Sequence, residues 1–356
     1  MNESKKLRQS NVELLRIIAM SMVIFLHYFN PEIGGAFKYV QKGTVNDALL
    51  QFLEAVSICA VNLFVMISGY FLSRSNRRTI GKALGLLFQV VFYSQFFYGI
   101  QCAFHPELLT VKGILVRLLP SNWFVVLYVV IYLISPLLNL AFDHLGTEMR
   151  KHAVILLLIL FSVWPTAVDL MLQIAHSNAL GLSTIGMQGS AQGYTITQFV
   201  LCYFIGMATH ELDLRSPSVC GKEIGRGTLA GLAFAEAIIL SVWGYLNAHT
   251  GREYCNPLVI AEAWTLLLLF LKTEIKPNRS INHIAECAFS VYLIHNHCLP
   301  YLKIEQYVNA PIAILFLHIT CSVLGIIAFS FAFDKCFHKI FGTVLSRVNR
   351  FGAYSY

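Results

Sequence analysis

The stretch that decides the fold reads ELLRIIAMSMVIFLH and runs from Glu13 to His27. Between Arg16 and His27 only Ser21 is polar, which predicts an apolar helix of the kind that spans a membrane. On an α-helix, the 11 positions from Arg16 to His27 end close to the same face and rise by about 16 Å. The sequence therefore predicts a cation near one end of this helix and an imidazole on the same face, about half a bilayer deeper.

The composition of the whole chain is that of an integral membrane protein. Of 356 residues, 56% are hydrophobic and only 13% are charged, whereas soluble domains carry about 25% charged residues. Windows of about 20 apolar residues predict an all-α fold, a polytopic membrane helix bundle that forms one domain over residues 1–356. The ten predicted spans are approximately 12–30, 48–73, 83–103, 121–141, 153–173, 195–211, 228–248, 257–271, 284–302 and 310–333.

The distribution of Lys and Arg predicts the orientation of the bundle, because cytoplasmic loops carry an excess of both. With a cytoplasmic amino-terminus, 19 of these residues fall in inside segments and 6 in outside segments, and Arg16 lies within the first helix. This alternation predicts that both termini are cytoplasmic, in a multi-pass protein of the plasma membrane. The net charge of +7 is spread over short loops, so we expect no nucleic-acid partner.

The cysteines and one outer loop narrow the possible chemistry. The nine cysteines are scattered, mostly through apolar runs, without metal-ligand spacing, so we expect no metal site and no disulfide framework. The predicted outer loop 174–194 has no Lys, Arg, Asp or Glu but contains many small polar residues and four glycines. It is interpreted either as a cover for a site on the outer face or as a plain linker.

Ionisable groups at membrane depth point to function by default, and His27 leads them. Its imidazole can be neutral near pH 7 and accept a proton. Arg16 presents a planar fork suited to phosphate, and Glu13, three residues earlier, can pair with it and orient it. The alternative is that Arg16 snorkels to the lipid headgroups and that His27 packs inside the bundle.

A second stretch, NLFVMISGYFL from Asn62 to Leu72, leads into a basic loop. Gly69 permits a close backbone approach, so Ser68 and Gly69 form either part of a site or a plain helix-packing pair. The loop attracts cytoplasmic polyphosphate or anionic lipid. Its cations are Arg74, Arg77, Arg78 and Lys82.

Two further stretches carry polar or aromatic groups that are candidates for a site. In SVYLIHNH, Tyr292 and His295 are one turn apart and share a face, with His295 at a depth like that of His27. Trp123 opens the fourth predicted span from the outer side and Tyr132 follows in it. Trp123 is either an interfacial belt residue or a platform for a sugar ring. Three acidic residues predicted within or near spans have open roles, namely Glu54, Glu236 and Glu262.

Taken together, these stretches resemble the acyltransferase-3 family of integral membrane acyltransferases. Arg16, ten residues and His27 resemble its Arg-x10-His signature, although Glu13 stands where many members carry Asp. The other similar stretches, in the family's order, are Phe64 to Tyr70 ending in Ser-Gly-aromatic, Trp123-Phe124 with Tyr132 and Ser135-Pro136-Leu137-Leu138, and Ser290-Val291-Tyr292-Leu293-Ile294-His295. The resemblance covers almost the whole chain, and nothing in it resembles the hydrolase-like domain fused to some members.

The resemblance implies transfer of an acyl group, most often acetyl, to a hydroxyl of a surface glycan or its lipid-linked precursor. Acetyl-CoA is the implied acyl donor, as a co-substrate, and no bound cofactor is expected. His27 is interpreted as the general base, with Glu13, Arg16, Tyr292 and His295 as the other catalytic residues. The predicted donor-binding residues are Arg16, Ser68, Gly69, Arg74, Arg77, Arg78 and Lys82, and the predicted acceptor-binding residues are Trp123 and Tyr132.

A different class of function also fits a bundle with buried His and Glu residues. A transporter or flippase of a glycan or lipid-linked sugar uses such groups as a proton relay. Against it, the sequence shows no internal repeat and no pair of helices broken by Pro and Gly. The sequence does not decide between direct transfer and an acyl-His27 intermediate, between acetyl and succinyl, or among acceptor sugars.

Overall fold

The computed structural model describes residues 9–75, 77–187, 189–211, 218–219 and 222–354. The cations Lys5, Lys6, Arg8 and Arg215, which contribute to the predicted orientation, lie outside these ranges. The α-helices are α1 (Ser10–Phe29), α2 (Ala36–Tyr39), α3 (Val45–Ser57), α4 (Ala60–Leu72), α5 (Ile80–Phe104), α6 (Val111–Val116), α7 (Trp123–Asp143), α8 (Thr147–Leu158), α9 (Trp164–Ile174), α10 (Ile196–Glu211), α11 (Arg226–Leu246), α12 (Ala248–Gly251), α13 (Pro257–Leu271), α14 (Arg279–Glu286), α15 (Ala288–Cys298), α16 (Ile304–Tyr307) and α17 (Ile312–Val348).

Short elements connect or fasten these helices. One turn of π-helix, Ile159–Val163, joins α8 to α9, directly before Pro165, which has no N–H to continue the α-helical ladder. Short 3-10 turns occupy Pro106–Leu108, Ala191–Gly193 and Leu299–Tyr301. Two antiparallel strand pairs complete the description: β1 (Arg78–Thr79) pairs with β4 (Ala353–Tyr354), and β2 (Ser218–Val219) pairs with β3 (Lys222–Glu223).

The predicted all-α membrane bundle is confirmed. Within the described residues, 7 helical segments are long and apolar enough to cross a membrane, including Val45–Leu72, which joins α3 to α4, and Thr147–Ile174. They coincide with seven of the ten predicted spans. The other three predicted spans fall on the shorter helices α10, α13 and α15, of 16, 15 and 11 residues. Helix α17 has 37 residues and so runs for about 55 Å, well past the predicted end at residue 333.

Helix α1 lies at the centre of the bundle, which explains why it is apolar on more than one face. It contacts α3, α4, α13, α14, α15 and α17. Its side chains Leu15, Ala19, Ile24 and Phe29 are fully buried. The neighbours of α1 therefore decide what surrounds Arg16 and His27.

The two ends of the bundle have different characters. At the end nearest Arg16, the hydroxyl of Ser10 at the start of α1 bonds to Asn282 of α14, and Asn11 donates to the Phe270 carbonyl near the end of α13. We call this the Arg16 end. At the opposite end, Asn62 donates to the Tyr254 carbonyl, close to Trp123. We call this the Trp123 end.

Candidate functional site

Arg16 and His27 lie on the same uninterrupted helix, α1. Arg16 Nη1 donates to both carboxylate oxygens of buried Glu13, at 3.2 and 3.3 Å. The guanidinium also lies 5.5 Å from the ring centroid of Phe71. The Arg16 side chain is nevertheless 32% exposed, so Glu13 orients the guanidinium without enclosing it.

The bundle brings His27 and His295 together, although they are far apart in sequence. Their ring centroids are 4.6 Å apart and the rings meet edge to face. His27 Nδ1 lies 2.9 Å from the Val23 carbonyl, and His295 Nδ1 lies 3.1 Å from the Val291 carbonyl. A carbonyl only accepts, so each Nδ1 carries the proton and each Nε2 is left as an acceptor. Buried His295 Nε2 has no partner among the described residues.

A cavity of about 290 Å³ leads from the Arg16 end toward this pair. Its walls include the cations Arg16 and Lys82, the acidic Glu286, the Ser68 hydroxyl and the rings of Phe124 and Tyr292. The Tyr292 ring centroid is 5.8 Å from that of His295. Among the described lining residues Tyr292 is included but His27 and His295 are not. Tyr292 therefore connects the cavity wall to the histidine pair by direct ring contact with His295.

The four cations of the basic loop have different environments. Arg74, Arg77 and Lys82 are exposed, and the Arg74 guanidinium lies 5.2 Å from the same Phe71 ring that Arg16 faces. Arg78 is only 2% exposed. Its nitrogens donate to the Ser135 hydroxyl and to the carbonyls of Leu72, Ser75 and Arg77. This arrangement favours a structural role for Arg78 over the predicted donor contact, because its fork already holds the loop against α7.

Ser68 and Gly69 are adjacent, but the structure separates their roles. The Ser68 hydroxyl donates to the Phe64 carbonyl at 2.9 Å and lines the cavity. Gly69 faces α10, where an added Cβ would overlap the carbonyl oxygen of Tyr203. An added Cβ at Gly206 of α10 would overlap the Met66 carbonyl in the same way. Gly69 thus permits a close helix crossing and lies away from the predicted donor path.

The two predicted acceptor residues lie at different ends of α7. Trp123 contacts Tyr194, with ring centroids 4.5 Å apart, and stacks on Tyr254 at 5.9 Å. Tyr132 is buried near the basic loop, where its hydroxyl accepts the Thr79 N–H at 3.1 Å and its ring faces Lys82. The structure therefore does not bring Tyr132 to the Trp123 end, and its surroundings are those of the donor side.

Sequence reasoning missed the residues that hold α15 in place. The Ser290 hydroxyl donates to Asp334 of α17 and also receives a bond from Gln89 Nε2 at 3.1 Å. Two residues further along α15, the Tyr292 hydroxyl donates to Asn122 Oδ1 at 2.9 Å. Two features of the sequence could have indicated these partners. Asp334 lies at the edge of an apolar run, and Asn122 immediately precedes Trp123.

The three acidic residues whose roles the sequence left open do not line the donor cavity. Glu236 accepts a bond from the Thr265 hydroxyl at 3.2 Å. Glu236 and Glu262 are 6% and 1% exposed, and each keeps one carboxylate oxygen without a partner among the described residues, as does Glu54. Their roles stay open.

Among comparisons with known proteins, the chain matches a protein family. A family model described as an acyltransferase domain matches residues 9–335, nearly the whole chain. No curated protein and no solved structure matches the chain.

Proposed function

The chain belongs to the acyltransferase-3 family, and from this premise we propose that it transfers an acyl group, most simply acetyl, from a cytoplasmic acyl-CoA to a hydroxyl of a cell-surface polysaccharide or lipid-linked glycan. One observation carries the proposal. The cavity lined by Arg16 and Lys82 also includes Tyr292, whose ring centroid lies 5.8 Å from that of His295, the neighbour of His27 inside an apolar bundle.

The donor enters at the Arg16 end. Its phosphates are polyanionic and cannot cross the hydrocarbon core, so they remain with the cations Arg16, Arg74 and Lys82. Arginine forks suit phosphate oxygens, and Glu13 holds the Arg16 fork in position. The thin and mostly uncharged pantetheine arm follows the cavity past Ser68 and carries the thioester toward Tyr292.

His27 then acts as the general base. Its Nδ1–H is held by the Val23 carbonyl, so its Nε2 lone pair takes the proton of the acceptor hydroxyl. The hydroxyl oxygen attacks the thioester carbonyl, the C–O bond forms, the C–S bond breaks, and the departing thiolate takes the proton to give free CoA. Proton transfer by a general base typically accelerates a reaction about 10²–10⁴-fold.

The tautomer of His295 narrows its role within this proposal. With Nδ1–H on the Val291 carbonyl, its Nε2 presents a lone pair that accepts a hydrogen bond or a proton. We therefore give His295 the role of stabilising protonated His27, 4.6 Å away between ring centroids. The Tyr292 hydroxyl, bonded to Asn122, positions the end of the donor path.

The test uses purified protein, radiolabelled acetyl-CoA and the cell's own surface glycan after mild alkaline removal of acyl groups. We expect His27→Ala to lose at least about 10²-fold in glycan acetylation, while the exposed-histidine control His152→Ala keeps wild-type activity. We expect Arg16→Lys to raise the KM for acetyl-CoA, because it keeps the charge and loses the fork, while the exposed control Arg347→Lys does not.

Three results would contradict the proposal in different ways. A wild-type rate of acetylation by correctly inserted His27→Ala would exclude His27 as the general base. An unchanged donor KM in Arg16→Lys would remove the phosphate contact. A glycan moved across the membrane without acetyl-CoA consumption would favour the transporter.

A further inference from the structure

A second cavity, of about 670 Å³, lies at the Trp123 end. Its volume is in the range of about 300–1,000 Å³ that is usual for ligand sites. It is formed by the second half of α9, residues 176–178 and 189–192, and α12, and its walls include Asp169, Gln173, His176, Ser177, Gln192 and His249. Residues 176–178 and 189–192 all belong to the predicted outer loop 174–194, which the sequence left as either a cover or a linker.

The chemistry of the walls selects an uncharged, hydroxyl-rich ligand. Side-chain amides, hydroxyls and neutral imidazoles both donate and accept hydrogen bonds, and a carboxylate accepts them. Among the described lining residues there is no Lys or Arg, and Leu172 is the one large apolar side chain. Phosphate ligands call for Arg or Lys, and lipid tails or apolar peptide anchors call for an apolar wall. A sugar residue satisfies both conditions.

Hydrogen bonds hold the walls of this cavity in place. Asp169 Oδ2 accepts the Ser190 N–H at 2.9 Å, and the Ser190 hydroxyl donates to buried Glu253 at 3.2 Å. The Tyr254 N–H donates to the Gln192 carbonyl at 3.0 Å. Residues 190–192 are thereby tied to α9 and to the segment between α12 and α13, so the site is formed before a ligand arrives.

The backbone around the cavity is also unusual. His176, Ala191 and Gln192 have φ angles of +48°, +51° and +55°, a region that non-glycine residues rarely adopt. They are three of the four described non-glycine residues with positive φ, the fourth being Lys303. Backbone strain of this kind concentrates where a protein holds a functional geometry.

The polar cavity is connected to the donor cavity through aromatic side chains. Gln192 is two residues before Tyr194, whose ring lies 4.5 Å from that of Trp123. Trp123 in turn contacts Phe124 at 6.0 Å between ring centroids, and Phe124 lines the donor cavity. Trp123 therefore lies between the two cavities, where an aromatic face suits the apolar face of a sugar ring.

We propose that this polar cavity is a subsite for a second sugar residue of the acceptor glycan, separate from the sugar that receives the acyl group. The proposal rests on the proposed function and deepens it. The enzyme accordingly prefers an oligosaccharide acceptor to a monosaccharide, and the preference enters through acceptor KM.

Ser177→Trp tests this by filling the cavity, with Ala179→Trp as the matched control on an exposed position two residues away. The acceptors are single sugars and longer oligosaccharides prepared from the cell's surface glycan after alkaline removal of acyl groups. We expect Ser177→Trp to raise the KM for oligosaccharides about tenfold, with the monosaccharide KM and the acetyl-CoA KM unchanged. Ala179→Trp keeps all three values.

A smaller substitution keeps the proposal testable if Ser177→Trp does not fold. Gln173→Glu keeps the oxygen that accepts from Asn247 Nδ2 at 2.7 Å and loses the amide donor. We expect its oligosaccharide KM to rise by about threefold to tenfold, the loss of about one hydrogen bond. Equal oligosaccharide-to-monosaccharide KM ratios in wild type and both variants would overturn the proposal.

Binding of a fluorescent oligosaccharide to the purified protein without acetyl-CoA separates the two proposals. If binding weakens in Ser177→Trp but no glycan is ever acetylated, the subsite stands and the acyl-transfer proposal falls. If acetylation proceeds and Ser177→Trp binds and reacts like Ala179→Trp, the subsite falls and the acyl-transfer proposal stands.

Discussion

Replacing Gly69 by alanine separates a packing role from the predicted donor-binding role. At Gly69 an added Cβ would overlap the Tyr203 carbonyl oxygen and lie 3.0 Å from the carbonyl carbon and from Cα. These are backbone atoms, which cannot swing aside as a side-chain end does. The methyl group must therefore push α4 and α10 apart, and overpacking of this kind typically costs about 1–3 kcal/mol.

The assay is unfolding of the purified protein in mixed detergent micelles, read out by circular dichroism. We expect Gly69→Ala and Gly206→Ala each to lower the free energy of unfolding by about 1–3 kcal/mol. Gly99→Ala is the matched control, because an added Cβ there meets nothing within 4 Å. We expect no loss of stability at Gly99, since alanine is the better helix former.

Donor kinetics decide between the two roles. If Gly69 serves the helix crossing, the folded Gly69→Ala enzyme keeps the wild-type KM for acetyl-CoA. An unchanged free energy of unfolding together with a tenfold higher donor KM would refute the packing argument and return Gly69 to the donor site.

Three further predictions test other parts of the site. We expect Arg78→Lys to lower the free energy of unfolding by about 1–3 kcal/mol, since one ammonium cannot satisfy the Ser135 hydroxyl and three carbonyls, and a stable, fully active variant would contradict this. Asn122→Ala removes both the N-cap of α7 and the Tyr292 partner, so we expect kcat to fall as in Tyr292→Phe. The double variant should fall little further, whereas additive losses would show that the bond plays no part. Burial and the nearby Asp169 carboxylate raise the pKa of Glu253 to about 7. The protonated carboxyl is therefore favoured in the folded state, stability should fall as pH rises from about 5 to about 7, and Glu253→Gln should flatten that profile in thermal unfolding.

The fold and the first helix follow from local properties of the chain. Apolar windows are sufficient to predict that α1, α5, α7, α11 and α17 cross a membrane, because hydrophobic length acts within one segment. The same holds for the spacing of Arg16 and His27, which helix geometry alone decides. The carboxy-terminal end of α17 is harder to predict from sequence. The helix continues to Val348 as an amphipathic segment after its apolar part stops.

Contacts between distant segments could not be predicted in this way. Sequence shows that Gly69 is small but not that Gly206 lies opposite it across a helix crossing. Likewise Tyr132 and Trp123 share one helix, yet only packing of the Arg78 loop assigns Tyr132 to the Arg16 end. The Ser290–Asp334 bond joins residues 44 positions apart, and no local pattern records such a partner.

The start of α7 links the two substrates of the proposed reaction. Asn122 Oδ1 accepts the Val125 N–H at 3.1 Å and also receives the Tyr292 hydroxyl. The same turn presents Trp123 to the acceptor side and Phe124 to the donor cavity. A sugar that displaces Trp123 would therefore also displace Asn122 and the Tyr292 hydroxyl bonded to it. Tyr292 is the side chain that lines the donor cavity and contacts His295. We therefore expect hydrolysis of acetyl-CoA by the purified protein, measured as release of free thiol, to be slow without a glycan acceptor; fast thiol release by the wild type without glycan would contradict this coupling.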